Sequence, residues 1–263
     1  MKTSKKMRLG IISALPDEQK GLIEAMGGPA RLTHGMRDYS LGQLWGIEAV
    51  CVVSRIGKVA AAMAATVLVE KFEVTHIIFT GVAGAGDAKV RVGDVVIAEA
   101  LVQHDMDCRP QFPKFEVPLT GQSHFKPDPE LSNVLGQAAD DFFDIDFSSV
   151  IQSKDRREFK LEWPRVHRGL VASGDQFISN RAHLAQLGAS LPGLLAVEME
   201  GAAVAQVCFE LGVPFAGIRT ISESANEDAG NNFLRFVKSV ASLYALHIIH
   251  RFCVDMKAKA PSR

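Results

Sequence analysis

This sequence has few cysteines, no long apolar run and no excess of charge of either sign. Its four cysteines form no Cys-x-x-Cys pair, so neither a zinc site nor a disulfide framework is indicated. No apolar stretch reaches the roughly 18 residues that a membrane-spanning helix takes. Lysine and arginine total 29 against 30 acidic residues, which leaves no basic footprint for nucleic acid. We therefore expect a soluble cytoplasmic protein whose partner is a small molecule rather than a membrane or a nucleic acid.

Motifs for nucleotides and metals are also missing. The glycines of residues 80–86 follow a strand, but the next segment leads into another strand rather than a helix. No Gly-Lys-Ser/Thr is present, so dinucleotide and phosphate-loop sites are disfavoured. His104, Asp105 and Asp107 have metal-ligand side chains, but no second cluster with helical histidine spacing completes a site. We expect neither a metal nor a cofactor.

Apolar segments of strand length alternate with helical segments along the chain. This alternation predicts an α/β fold, a three-layer sandwich in which helices flank a central, mixed, mostly parallel twisted sheet. With 263 residues and 47% hydrophobic composition, one domain over 1–263 is expected, with tails at 1–6 and 257–263 and a surface insertion at 148–164. The predicted strands are about 8–15, 48–54, 75–80, 94–101, 168–173, 194–199 and 214–221, and the clearest helices are 58–72, 129–142, 200–211 and 230–252.

One long irregular segment, residues 105–129, combines five prolines with three phenylalanines. Loops of this length are usually functional or part of an interface. Its apolar side chains are too many to leave exposed to water. We therefore expect a homodimer in which this loop covers the active site.

Glutamates follow three of the predicted strands. Glu18 comes shortly after the first strand, Glu198 and Glu200 lie where an apolar strand gives way to a small-residue helix, and Glu223 follows the last strand. Acidic side chains at a helix start are favoured by the helix dipole, so solvated helix starts are one interpretation. The other is a site, because carboxylates that converge at the carboxyl ends of strands suit acid/base work on a polyhydroxylated or basic substrate.

Two further turns leave both interpretations open. The turn 54–59 carries Arg55 and Lys58 at a predicted helix start, which is either an anion site or ordinary turn chemistry. Asp175 follows another strand, where it either caps a helix that begins near Asn180 or contributes to a site.

Six segments of the chain form a joint pattern: 10–18, 56–61, 80–84, 173–178, Val-Glu-Met-Glu at 197–200, and 219–223. In this order they together resemble the nucleoside phosphorylase superfamily, and within it the 5'-methylthioadenosine/S-adenosylhomocysteine nucleosidases. The resemblance extends over nearly the whole chain, and the joint occurrence of the segments is far more specific than any one of them. Relative to shorter members, residues 148–164 look like an insertion.

The resemblance implies a purine nucleosidase that hydrolyses the N-glycosidic bond of methylthioadenosine and adenosylhomocysteine in methionine salvage and the clearance of a methyl-cycle by-product. Glu18 would activate the attacking water, Glu200 would hold the ribose hydroxyls, and Met199 would lie against the sugar. Glu198, Val82 and Arg219 complete the expected substrate-binding set around the sugar.

The resemblance also implies where the two ends of the substrate lie. Phe177 and the backbone at Ile178 would hold adenine. An apolar pocket for the 5'-alkylthio group would be lined by Ile56 and Phe233, and by residues 108–115 of a partner subunit. The partner residues are Cys108, Phe112 and Phe115.

Glu223 departs from the resemblance, because the family usually places aspartate there as the general acid at the purine. One added methylene in such a site implies reduced activity, a shifted base or a compensated pocket. Phe79 and Val82 stand where a phosphorylase would present groups to phosphate, which favours water as the nucleophile. The alternatives are a phosphate-dependent purine nucleoside or methylthioadenosine phosphorylase, a futalosine-type or nucleotide-type nucleosidase, for which Arg55 argues, and a nucleoside-binding protein that has lost the chemistry.

Overall fold

The computed structural model describes residues 6–178, 180–223 and 229–259, with the side chains of 223 and 229–232 left out of the description. The strands are β1 (Arg8–Ser13), β2 (Ala30–His34), β3 (Arg37–Leu44), β4 (Ile47–Val53), β5 (His76–Ala85), β6 (Val95–Gln103), β7 (His124–Phe125), β8 (Val166–Ser173), β9 (Leu194–Glu198) and β10 (Phe215–Glu223). The helices are α1 (Pro16–Ala25), α2 (Lys58–Glu70), α3 (Pro129–Asp141), α4 (Phe147–Val150), α5 (Ser153–Glu158), α6 (Arg181–Ser190), α7 (Gly201–Leu211), α8 (Ala229–Phe236) and α9 (Ser242–Lys259).

All ten strands belong to one mixed sheet. From β5, the strands β1, β4, β3 and β2 follow one another to an open edge at β2. On the other side the pairings run β5, β10, β6, β8, β9 and back to β5, so these five strands close into a ring. β5 therefore has neighbours along both edges, whereas β2 pairs with β3 alone among the described strands.

Helices cover both faces of the sheet, because successive strand residues point to opposite sides. In β1, Leu9 and Ile11 pack with residues of α3 and α9. The next residue, Ile12, packs on the other face with residues of α2 and α7. The predicted three-layer α/β sandwich is confirmed.

Parallel pairing is less dominant than the sequence predicts. Among the described strands five pairings are parallel and five antiparallel. The difference arises from the antiparallel run β2–β3–β4, whose first two strands the sequence pattern does not reveal, and from the two antiparallel pairings that close the ring. β5 is also longer than the predicted 75–80, since it continues through Gly81 and Gly84 to Ala85.

The segment 148–164 forms parts of two short helices and a connecting loop. Most of its charged side chains are exposed, but Ile151 and Leu161 are buried in the core and Asp155 is buried beside Arg235. The segment is therefore anchored to the domain, and its status as an insertion stays a prediction. At the C-terminal end, α9 continues to Lys259, so the first three residues of the expected tail are helical. In the described part of the chain no helix combines the length and apolar composition needed to cross a membrane.

Candidate active site

A cleft, named here the site cleft, opens where β1, β5, β9 and β10 end. It combines buried carboxylates with aromatic and aliphatic walls, which is the usual character of a small-molecule site. Its lining residues are Ala14, Leu15, Glu18, Ile56, Phe79, Gly81, Val82, Ala83, Gly84, Gln176, Phe177, Ile178, Val197, Glu198, Met199, Glu200, Arg219, Ser222 and Phe233.

Glu18 is held rigidly at the floor of the site cleft. It occupies the third position of α1, and one carboxylate oxygen accepts the N–H groups of Ala14 at 2.9 Å and Leu15 at 2.8 Å. The other oxygen accepts the N–H of Val82 on β5 at 3.0 Å. The side chain is only 2% exposed, and this burial raises its pKa even though the three N–H groups act in the opposite sense. An ionised Glu18 is therefore a strengthened base in a fixed orientation.

Glu200 stands at the start of α7, directly after β9. Its Oε1 accepts the N–H of Gly57 at 2.8 Å, so the turn before α2 orients the carboxyl group. Burial, then the nearby charge of Glu198, raises the pKa of Glu200 to about 8, with Glu18 adding to the effect. Its other oxygen has no hydrogen-bond partner among the described residues and is free to meet a ligand in the cleft.

Glu198 forms a buried ion pair with Arg219. The Arg219 guanidinium donates to Glu198 Oε2 at 2.7 Å and stacks over the Phe79 ring at 3.8 Å. The same carboxylate accepts the Gly201 N–H at the start of α7 and the hydroxyl of Ser173. Since buried charges are stable only when paired, this network fixes β9, β10 and α7 together and leaves Glu198 few free acceptor positions.

The two cations of the turn before α2 have protein partners. Lys58 Nζ lies 2.6 Å from Asp105 Oδ1, and the Lys58 N–H donates to Asp175 Oδ1 at 2.8 Å. Arg55 donates to the carbonyl of Met36 at 2.6 Å. Asp175 thus caps α2 rather than the later helix, which Asn180 caps through its own side chain. The sequence missed this contact because the two residues are far apart along the chain.

The structure brings together ten of the predicted site residues: Glu18, Ile56, Val82, Phe177, Ile178, Glu198, Met199, Glu200, Arg219 and Phe233. Glu223 ends β10, where the pairing with β5 shifts register, but its side chain lies outside the described residues. Cys108, Phe112 and Phe115 do not line the cleft of their own chain. Phe115 is buried against β8 and β9, so of the three only Cys108 and Phe112 remain accessible to a partner subunit.

Several cleft residues escaped the sequence analysis. Ala14 and Leu15 lie three to four residues before Glu18, and Gln176 directly precedes Phe177, so their proximity to predicted residues was a usable signal. Gly81 contributes by its lack of a side chain, because a Cβ there would lie 3.1 Å from Glu18 Oε1. Among the described residues no group of three or more His, Cys, Asp or Glu side chains is placed to hold a metal.

Comparison with known proteins agrees with this geometry. A 5'-methylthioadenosine/S-adenosylhomocysteine nucleosidase of Geobacillus kaustophilus is 34% identical over 96% of this chain and 99% of its own. The crystal structure of such a nucleosidase from Colwellia psychrerythraea, in complex with adenine, superposes with a TM-score of 0.84 at 30% identity over 98% of this chain and 99% of that one. A futalosine hydrolase of Helicobacter pylori superposes with a TM-score of 0.80 at 25% identity, over 96% of this chain and all of its own.

The family profile described as the phosphorylase superfamily matches residues 8–250, which include every described residue of the site cleft. The relatives above match along nearly their full length as well as along nearly all of this chain. The chain belongs to the phosphorylase superfamily and, within it, to the family of the 5'-methylthioadenosine/S-adenosylhomocysteine nucleosidases.

Proposed function

We propose that the protein hydrolyses the N-glycosidic bond of 5'-methylthioadenosine and S-adenosylhomocysteine, releasing adenine and the 5'-thio-ribose. The observation that carries the proposal is the pair of buried carboxyl groups, Glu18 and Glu200, that line one cleft with independent supports. Named relatives of similar length support the choice of substrates. Such an activity serves methionine salvage and clears a by-product of methyl transfer.

Glu18 is the proposed base for the attacking water. Its three backbone hydrogen bonds prevent rotation of the carboxylate, so a water bound to it is held in one direction. Its raised pKa increases its affinity for the proton that the water gives up. As the bond to adenine breaks, positive charge develops on the ribose ring, and a nearby carboxylate stabilises that charge.

Glu200 is the proposed anchor for the ribose 2'- and 3'-hydroxyls. One oxygen is committed to Gly57, and the other is free for the sugar. Met199 lines the cleft directly beside it and offers the sugar an apolar contact. A substrate held in this orientation converts the attack of water into an almost unimolecular step.

Adenine is proposed to lie against Phe177, whose ring is 62% exposed in the cleft wall, and beside Ile178. Glu223 is the proposed acid that protonates the departing base, from its position at the end of β10. The 5'-substituent then points toward Ile56 and Phe233. Cys108 and Phe112 of a second subunit are proposed to line this end as well in a homodimer.

Water is the proposed nucleophile because the described part of the cleft offers no unpaired cation for phosphate. Arg219 is the lining residue with a positive charge, and its guanidinium is paired with Glu198 and stacked on Phe79. Phosphate binding usually takes arginine or lysine groups that are free to form charge-assisted hydrogen bonds.

The test is adenine release from 5'-methylthioadenosine, adenosylhomocysteine, adenosine and inosine, each with and without phosphate. We expect phosphate-independent release of adenine from the two thio-substrates. Formation of a ribose 1-phosphate only when phosphate is present would instead identify a phosphorylase. Binding without release by the wild type would identify a nucleoside-binding protein.

The role of Glu223 is tested separately with Glu223→Gln and Glu223→Asp. If Glu223 is the acid, the glutamine variant loses adenine release while the aspartate variant keeps it or gains. Unchanged release by Glu223→Gln would assign the acid to another group. A wild type that is inert beside an active Glu223→Asp would show that the added methylene has removed the activity.

A further inference from the structure

A second cleft continues from the site cleft on the side of α1, β3 and β4. Ala14, Leu15 and Ile56 line both, so the two form one continuous depression. Because Ile56 is the residue proposed to face the 5'-carbon and lines both clefts, the second cleft is the space that a long 5'-substituent would reach beyond it. We name this second region the arginine cleft, after its lining residues Arg31, Arg37 and Arg55.

The charge of the arginine cleft is strongly positive. Its lining contains three arginines against one carboxylate, Asp38, whose Oδ1 already accepts the Thr33 hydroxyl at 2.6 Å. None of the three guanidinium groups forms an ion pair with a described carboxylate. The protein as a whole carries a net charge of -1, so this surplus is local.

Arg37 contributes a buried positive charge without a counter-ion. It is 8% exposed, and its guanidinium donates to the carbonyls of Ser54 and Gly35, both at 3.1 Å, and to the Met63 sulfur at 3.0 Å. Carbonyls satisfy its donors but do not neutralise it. A buried charge of this kind is costly unless an opposite charge approaches it.

Arg55 is held in a backbone conformation that suits glycine better than arginine. Its φ is +73°, in the left-handed region, although its side chain is exposed and needs no core contact to explain it. Such positions cost on the order of 1–3 kcal/mol and are found preferentially at ligand-binding sites. Its guanidinium donates one hydrogen bond to the Met36 carbonyl at 2.6 Å, which leaves its other donors available for a ligand.

We propose that the arginine cleft binds a carboxylate carried at the end of the substrate's 5'-substituent, and that the protein prefers such acidic nucleosides to neutral ones. Arg31 and Arg55 contact the carboxylate, and Arg37 contributes a fixed positive potential behind them. The proposal rests on the proposed function, because it places a purine nucleoside in the site cleft with its 5'-carbon toward Ile56.

The test uses ligands that separate binding from cleavage. Two 7-deazaadenosine analogues, which lack the ring nitrogen that the acid protonates, carry a 5'-thioether arm ending in a carboxylate or in the matching carboxamide. Calorimetry gives a Kd for each with the wild-type protein. We expect the carboxylate to bind about tenfold more tightly at low salt, and the preference to shrink at about 0.3 M salt because exposed charges are screened.

The variants are Arg55→Gly and Arg31→Gln, alone and combined, with Arg157→Gln as the control. Arg55→Gly removes the guanidinium while relieving the backbone, so folding is retained. Arg157 is exposed on α5, outside both clefts, and its replacement changes the net charge equally. We expect each cleft variant to lower the carboxylate preference about threefold, the double variant to abolish it, and the control to leave it unchanged.

Equal affinity of the wild type for the two analogues would overturn the proposal, as would a preference that survives the double variant. Failure of the proposed function gives a different pattern. In that case methylthioadenosine is not cleaved, whereas the affinity ratio of the uncleavable pair still reports on the arginine cleft.

Discussion

Glu18 and Glu200 are both buried glutamates, but they differ in how many of their carboxylate oxygens are hydrogen-bonded to the backbone. Both oxygens of Glu18 are committed to backbone N–H groups, whereas only one oxygen of Glu200 is. The two side chains therefore differ in what replaces them without damage to the fold. An amide has one accepting and one donating end, so it suits Glu200 and not Glu18.

Glu18→Gln is expected to lose both activity and stability. Either orientation of the amide points its NH2 group at a backbone N–H, of Val82 or of Ala14 and Leu15. We expect adenine release to fall by about 100-fold or more, and the free energy of unfolding to fall by about 1–3 kcal/mol. Urea unfolding beside a rate assay checks both. A fully stable Glu18→Gln would contradict the hydrogen-bond arrangement.

Glu200→Gln is expected to be more stable than the wild type in mild alkali. A pKa near 8 in the fold, against 4.5 in the unfolded chain, means that the native protein holds the extra proton between these values, so wild-type stability falls as pH rises through that window. Glutamine has no such loss. We expect Tm values that nearly coincide at pH ~4.5 and a variant advantage at pH ~8 equivalent to at least about 1 kcal/mol.

The same variant separates stability from catalysis. Removing the proposed ribose anchor is expected to reduce kcat/KM about a hundredfold even though the protein is better folded. The contradicting result would be a Glu200→Gln variant that is as active as the wild type at pH ~8 and has no higher Tm. It would mean that burial does not raise the pKa of Glu200.

At the residue level the sequence located the carboxylates but not their partners. Glu18, Glu198 and Glu200 were predicted because polar groups at strand ends face a common edge of the sheet. The pairing of Glu198 with Arg219, and the contact of Glu200 with Gly57, join residues far apart in the chain. Only the strand order fixes such contacts, and no local pattern encodes that order.

Among the elements, β5 shows how a strand can be shaped to admit a buried carboxylate. Gly81 lies in the middle of this strand, opposite Glu18, and the space that a Cβ would take holds the carboxylate. Glycine weakens a strand interior, so its presence here reflects close approach rather than strand propensity.

Gly81→Ala is expected to displace the Glu18 carboxylate by a few tenths of an ångström and to lower the rate about tenfold or more. Gly217→Ala on the neighbouring strand β10 is the matched control, because its Cβ would meet only the Ala98 Cβ at an ordinary 3.6 Å. Rates and thermal unfolding of the two variants are compared. Equal rates would show that Glu18 has room to move.

The strands that the sequence missed share a physical cause. Every residue of β2 is exposed, so it has no apolar face to produce an alternating pattern, and β3 is polar at several positions. Ring closure was also unpredictable, since β5 and β9 meet through only two residue pairs, Gly84 with Val197 and Ala85 with Ala196. The layered arrangement was predictable because it depends on the overall alternation of elements.

For the whole molecule, the expected homodimer is tested by placing a charge on an exposed apolar residue near the site cleft. Val59 on α2 is 82% exposed and follows Ile56 by three residues, and Ile56 is 58% exposed in the lining of the site cleft. Val59→Asp is expected to shift the protein from dimer to monomer and to lower activity at dilute concentration, without loss of Tm in the monomer. Ile145→Asp, at a position 65% exposed in the π-helical stretch Phe142–Asp146 after α3, is the control. Sedimentation of a fully active monomer at micromolar concentration would contradict the dimer.

The open edge of the sheet at β2 has consequences for local motion and for how the protein can evolve. Amide hydrogens of β2, paired on one side only, exchange with solvent faster than those of β5, which is enclosed on both sides. A ligand that occupies both clefts would thus contact the well-enclosed strand β5 around the proposed sugar position and the more mobile strand β2 beyond Ile56. Natural selection or laboratory evolution can therefore change residues of β2 to fit new 5'-substituents while the residues at the glycosidic bond stay the same.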